Sequence, residues 1–121
     1  MKFYKCNICG NIFSVVEDSG VNPVCCDQPM ELLKTNTVDG VGEKHVPVIE
    51  RDGDKVTVKI GSAPHPMLPE HHIMFVAIRY GDHCQMQHLK VSGEPQAEFV
   101  VSGNDEITAY AYCNIHGLWK S

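Results

Sequence analysis

Four cysteines crowd the start of this chain, the pair Cys6 and Cys9 in KCNICGN and the adjacent pair Cys25 and Cys26 in PVCCDQ. They constrain the fold more than any other feature. A segment this short cannot bury enough apolar surface to offset its chain entropy, and domains below roughly 40 residues usually need a staple. Adjacent cysteines rarely close a relaxed disulfide, whereas Gly10 lets the CxxC take a tight turn. The start, MKFYKCNICG, has no apolar run of signal-peptide length. The expected setting is therefore a reducing cytoplasm, where clustered cysteines read as metal ligands. Zinc and iron both accept four tetrahedral thiolates, so the spacing alone admits either.

Composition excludes several function classes. The formal net charge is -5, and the ten Lys and Arg are scattered rather than grouped, so no nucleic-acid footprint is expected. No stretch reaches the ~20 apolar residues that span a bilayer. An anion drawn to this acidic chain must be attracted by local charge.

Along the chain, FYKC and NIFSVVE read as short strands, with turn signals between Asp18 and Pro23. TNTVDGVGE, from Thr35 to Glu43, is polar, carries two glycines and reads as a linker. VPVIE and KVTVKI then alternate on either side of RDGD, a hairpin signal. IMFVAIRY, the stretch from Gln85 to Val91, AEFVVS and ITAYAYC follow, and no window offers an amphipathic helix. The expected class is all-β, with a small metal-bound domain over residues 1–36 and a β-sandwich over residues 37–121.

The chain holds seven histidines, and YCNIHGLWK near its end places Cys113 and His116 three residues apart. His45 lies in EKHVPVIE, and His65 in SAPHPM between two prolines that stiffen its loop. His71 and His72 open the run IMFVAIRY, where adjacent strand residues point to opposite faces, so one of the two is expected to reach a shared metal. Singly, each residue has a plainer reading: a solvated loop histidine, or a cysteine acting as a small hydrophobe. Their joint occurrence argues for a second metal site.

EKHVPVIE, HPM with a second histidine six positions after the first, and YCNIHGLWK together resemble the superoxide reductases, and the cysteine head resembles their two-iron form, desulfoferrodoxin. The resemblance covers almost the whole chain in the same order. It implies a rubredoxin-like iron held by Cys6, Cys9, Cys25 and Cys26 in a desulforedoxin-like domain. On an immunoglobulin-like sandwich, it implies a second iron with His45, His65, His71 and His116 in its equatorial plane and Cys113 as axial ligand. Glu43 matches the carboxylate that occupies the open position in the ferric state, and Lys44 matches the cation beside it. The implied activity is one-electron reduction of superoxide to hydrogen peroxide, with re-reduction by a rubredoxin-like donor, in a homodimer. Family members often carry tryptophan where this chain has His72.

A cation beside an anion site raises the local concentration of superoxide and its encounter rate, an effect that salt weakens. Two other functions fit parts of the pattern: an electron carrier that uses the first iron alone, and a zinc-stabilised binding module. HCQMQH, from His83 to His88, lies outside the family pattern and reads as a strand with a buried thiol at Cys84.

Overall fold

The computed structural model describes residues 1–37 and 42–121, with the side chain of Glu43 also outside the described set. The chain forms two compact units, Met1–Lys34 and Thr35–Ser121. The expected all-β class holds for both. Among the described residues the one helical element is a single turn, α1 (Gly42–His45), which begins in the stretch expected to be linker and runs past its end at Glu43.

In the first unit, β1 (Phe3–Lys5) is flanked antiparallel by β2 (Ile12–Ser14) and β5 (Glu31–Leu32), and β3 (Val24–Cys25) pairs with β4 (Gln28–Pro29). Its own core is small: Tyr4, Cys6 and Met30, with Val15 and Cys25 packed against them. That is too little apolar burial to hold a unit of this length without a cross-link.

The second unit packs two antiparallel sheets. One has the order β10 (Gln96–Val100), β7 (Lys55–Ile60), β6 (Pro47–Asp52). The other has the order β12 (Gly117–Lys120), β11 (Ile107–Cys113), β8 (Ile73–Tyr80), β9 (His83–His88). Alternation directs Val56, Val58, Ile60, Ala97 and Phe99 from the first sheet against Val76, Ile78, Ala109, Ala111 and Cys113 from the second. The β6–β7 hairpin pairs Asp52 with Lys55, which makes Gly53 and Asp54 the two turn residues. Gly53 has φ +60 and Asp54 is not among the positive-φ residues, the pattern of a type II′ turn with glycine first.

Three features depart from the expected layout. Thr35 and Asn36 belong to the second unit rather than to a linker. Thr35 bridges Leu118, and the Asn36 side chain both accepts from the Lys120 N–H at 2.8 Å and donates to the Lys120 carbonyl at 3.1 Å. The sequence also hid β12, four residues squeezed between a loop and the chain end. Cys84 is exposed, not buried, because β9 is an edge strand and the cross-strand neighbour of Cys84 is the exposed Arg79.

The ladder between β8 and β11 contains one irregularity. Tyr112 pairs with Phe75 but Cys113 with Ile73, so Met74 is an extra residue. This bulge inverts the strand's parity, and Ile73 joins Cys113 in the core while Met74 is exposed. No helix among the described residues is long and apolar enough to cross a membrane.

Candidate metal centres

In the first unit, the loop from Cys6 to Gly10 folds back on itself. The Gly10 N–H donates to the Cys6 carbonyl at 2.9 Å, and Gly10 takes φ +83. The Cys9 N–H points at the Cys6 sulfur, 3.5 Å away. Adjacent residues on a strand would diverge, yet Cys25 and Cys26 reach the same point. They do so because Cys26 and Asp27 are the two turn residues between β3 and β4 and both are left-handed, with φ 53 and 59. The Cys9 and Cys25 sulfurs are 3.7 Å apart and those of Cys25 and Cys26 4.0 Å. Four sulfurs about 2.3 Å from one tetrahedral ion stand about 3.8 Å apart, so the cage is of metal-binding size.

The thiols show the strain of sharing that space. The Cys9 and Ile8 N–H groups pull the Cys6 thiol down to about 6. Hydrogen bonds shared first with Cys9 and then Cys6 push Cys25 up, and those with Cys9, Cys6 and Cys25 push Cys26 up to about 12. The Cys6 thiolate forms readily here, while ionising Cys25 and Cys26 needs a cation.

At one end of the sandwich a second group assembles from three separate segments. The His45, His65, His71 and Cys113 donor atoms lie within 4.8 Å of one another. His116 Nδ1 is 3.1 Å from His45 Nε2 and 3.8 Å from the Cys113 sulfur. His45 ends α1, His65 and His71 lie between β7 and β8, and Cys113 ends β11 while His116 is the last residue of the three-residue turn leading to β12. The turn closes with the His116 N–H directed at the Cys113 sulfur at 3.4 Å and with Gly117 at φ +80. His45, His65 and Cys113 are 1%, 3% and 0% exposed.

The four imidazoles form a closed square. Around it, centroids are 4.4 Å apart from His45 to His65, 4.6 Å from His65 to His71, 5.1 Å from His71 to His116 and 4.7 Å from His116 to His45. Neighbouring rings are roughly perpendicular, and His45 and His71, across the diagonal, are 6.1 Å apart and nearly parallel. His45 Nε2 is 2.9 Å from His65 Nε2 and 3.1 Å from His116 Nδ1. Nitrogens about 2.1 Å from an ion stand about 3.0 Å apart at right angles and about 3.4 Å apart in a tetrahedron. The two spacings about His45 thus match nitrogens at right angles rather than those of a tetrahedral zinc cage.

The donor states suit a cation. The Pro66 carbonyl can only accept, so at 2.6 Å it takes the proton of His65 Nδ1 and leaves the Nε2 lone pair facing the cluster. His71 Nε2 is buried without a hydrogen-bond partner, the kind of orphan atom that a metal bond would satisfy. Burial, reinforced by the neighbouring histidines, pushes His65 down to about 4. Burial also lowers His71, followed by repulsion from His116 and Lys44, so the charge of the exposed Lys44 is felt at the site. Four imidazoles with one thiol, some neutral by burial, make a donor set that fits iron.

His72 turns away and its Nδ1 donates to the Leu68 carbonyl at 3.0 Å. The side chain of Glu43 lies outside the described residues, and α1 carries its backbone two residues before His45. Two further residues position ligands. Trp119 stacks on the His45 ring at 4.9 Å and donates Nε1–H to the His116 carbonyl at 3.2 Å. Gly61, at φ +83, packs so closely that an added Cβ would lie 2.5 Å from the Ala63 carbonyl oxygen and 2.6 Å from the Lys44 carbonyl carbon. Trp119 stood inside the quoted motif; nothing local distinguished Gly61.

The fold and both sites define a two-centre, all-β metalloprotein with a tetrathiolate cage and a histidine-rich redox-type centre. Comparison with known proteins places it further: residues 1–33 match the family model of the desulfoferrodoxin N-terminal domain and residues 37–121 that of desulfoferrodoxin, so the chain belongs to the desulfoferrodoxin family. A desulfoferrodoxin homolog of Archaeoglobus fulgidus is 50% identical over 121 residues, covering 100% of this chain and 96% of the relative. A superoxide reductase of Pyrococcus horikoshii is 41% identical over 69% of this chain and 88% of its own. The crystal structure of the superoxide reductase from Treponema pallidum superposes with a TM-score of 0.82 at 32% identity, covering 99% of this chain and 95% of that one.

Two outcomes follow from this geometry. In the metal-free protein His65 stays neutral to about pH 4, while in the unfolded chain it protonates near 6.5. Between these values the unfolded state binds more protons, so the contribution of His65 to the stability of the metal-free second unit is fully present above 6.5 and is lost as the pH falls toward about 4. Denaturant titrations of chelator-stripped protein across that interval check this, and a pH-independent midpoint would contradict it. Gly61→Ala should displace the backbone of α1 and lower metal affinity at the second site by about tenfold or more. Competition titration with a chelator reads the change, and an unaltered affinity would show that α1 does not depend on this contact.

Proposed function

We propose that this chain is a superoxide reductase that converts superoxide, one electron and two protons to hydrogen peroxide. The square of four imidazoles with a buried thiol beside it carries this reading. A ferrous ion held by His45, His65, His71, His116 and Cys113 would supply the electron and an open coordination position for the substrate. The chain's own residues do the rest. Buried imidazoles remain neutral and so keep their lone pairs for the metal. The Cys113 sulfur accepts the His116 N–H, which fixes the sulfur beside the imidazoles.

Lys44 is the substrate guide in this reading. It is exposed, its positive charge reaches His71, and the chain as a whole is acidic, so it supplies local attraction for an anion. Glu43, its neighbour, is the carboxylate assigned to cap the site after oxidation, a role resting on the EKH match. The first unit, with four sulfur donors, would hold the other iron as an electron-transfer or structural centre. A cytoplasmic setting agrees with six free thiols, and a rubredoxin-like donor and a homodimer follow from the family resemblance.

Mixing reduced, iron-loaded protein with superoxide under a non-oxidising donor tests the assignment. One hydrogen peroxide per superoxide and no dioxygen is the expected yield; dioxygen formed without a donor would mean dismutation instead. Lys44→Ala should slow superoxide capture at low salt, by about tenfold given the usual range of electrostatic steering, and flatten its ionic-strength dependence. An unchanged low-salt rate would remove Lys44 from that role. Glu43→Ala should alter the absorption of the oxidised protein and its pH dependence, and identical spectra would end the capping assignment.

A further inference from the structure

The ladder between β8 and β11 ends with the Ile73–Cys113 pair, next to the segments that carry His71 and His116. Beyond that point the two segments are joined through one residue. The Asn114 N–H donates to the His72 carbonyl at 3.2 Å. Its side-chain Oδ1 accepts the His72 N–H at 2.9 Å, and its Nδ2 donates to the Glu70 carbonyl at 3.0 Å. The carboxamide therefore bonds to peptide groups on both sides of His71.

We propose that Asn114 is a positioning residue for the second metal centre, its carboxamide gripping the chain on both sides of His71 and so aiming His71 Nε2 into the ring of donors. The inference rests on reading the five-donor cluster as the iron site.

Three observations support it. His71 Nε2 is buried and has no hydrogen-bond partner, so no hydrogen bond fixes the ring tip, and the backbone on either side of His71 carries its aim together with ring packing against His65 and His116. That backbone is held on its other side by the reciprocal pair in which the Leu68 N–H meets the His71 carbonyl at 2.9 Å and the His71 N–H meets the Leu68 carbonyl at 3.1 Å. Asn114 also follows Cys113 directly and lies two residues before His116, so its clamp transmits the position of the sulfur and His116 to His71. The side-chain type matters: a carboxamide offers an acceptor and donors together, aspartate lacks the donor and alanine lacks both.

Ferrous iron is titrated anaerobically into the full chain with the first site already filled, against a competing chelator. Asn114→Ala should lower second-site affinity by about 10- to 100-fold, the usual effect of removing a group that orients a ligand. In the His71→Ala background the same change should cost little, since its target is already gone. A purely structural residue would lower affinity equally in both backgrounds, and that result, or unchanged affinity in the wild-type background, would overturn the proposal. Should Asn114→Ala fail to fold, Asn114→Asp is read in the same cycle, with about tenfold loss expected from the missing donor to Glu70. Absence of any second-site iron in the unmutated chain would overturn the site reading itself and the clamp with it, whereas a normal unmutated chain with an unaffected variant would overturn the clamp alone.

Discussion

Nitrogen lone pairs held 2.9 to 3.1 Å apart in a dry pocket repel one another unless a proton or a cation stands between them. The histidine square at the end of the sandwich is built around that constraint. His65 commits its proton outward to Pro66, His71 leaves its inner nitrogen unpartnered, and burial resists protonating either ring. Each choice raises the cost of the empty site and the gain from filling it. Binding energy for the metal is thereby folding energy for the loops that carry the ligands.

The sandwich provides what such a site requires, since none of its ligand-bearing segments is regular structure for long. Strands β7, β8 and β11 are rigid through the packed core, and the ligands sit where those strands stop. Cys113 is the exception, a member of the core cluster itself, so the sulfur is fixed by the same packing that holds the two sheets together. Trp119 covers His45 and Gly61 admits the backbone of Lys44, two contacts made by residues far in sequence from the turn α1 that they hold. Precision of this kind comes from over-determined backbone, not from side-chain choice.

The four-thiol cage obeys the same logic with softer donors. Two left-handed residues in succession, neither of them glycine, bend Cys26 back beside Cys25. Such a turn is unfavourable by itself and persists where surrounding bonds impose it. Cys6 ionises readily while Cys25 and Cys26 keep their protons until a cation arrives, so metal capture and proton release are one event.

Residue type and spacing made much of this legible. Strands β7, β8 and β11 matched their apolar runs residue for residue, and the cysteine head declared a metal because nothing else could hold so short a unit. The donors of the histidine square were nameable from three short motifs, since lone pairs and thiols are properties of residue types. The turn α1, strand β12, the Met74 bulge and the exposed thiol of Cys84 were not legible, because each depends on which strand lies alongside. The sequence by itself determined which atoms could bind a metal, and tertiary structure alone decided that four imidazole rings would close into a square. Ligand chemistry is local, whereas distances between residues as far apart as His45 and His116 exist only once two sheets have packed.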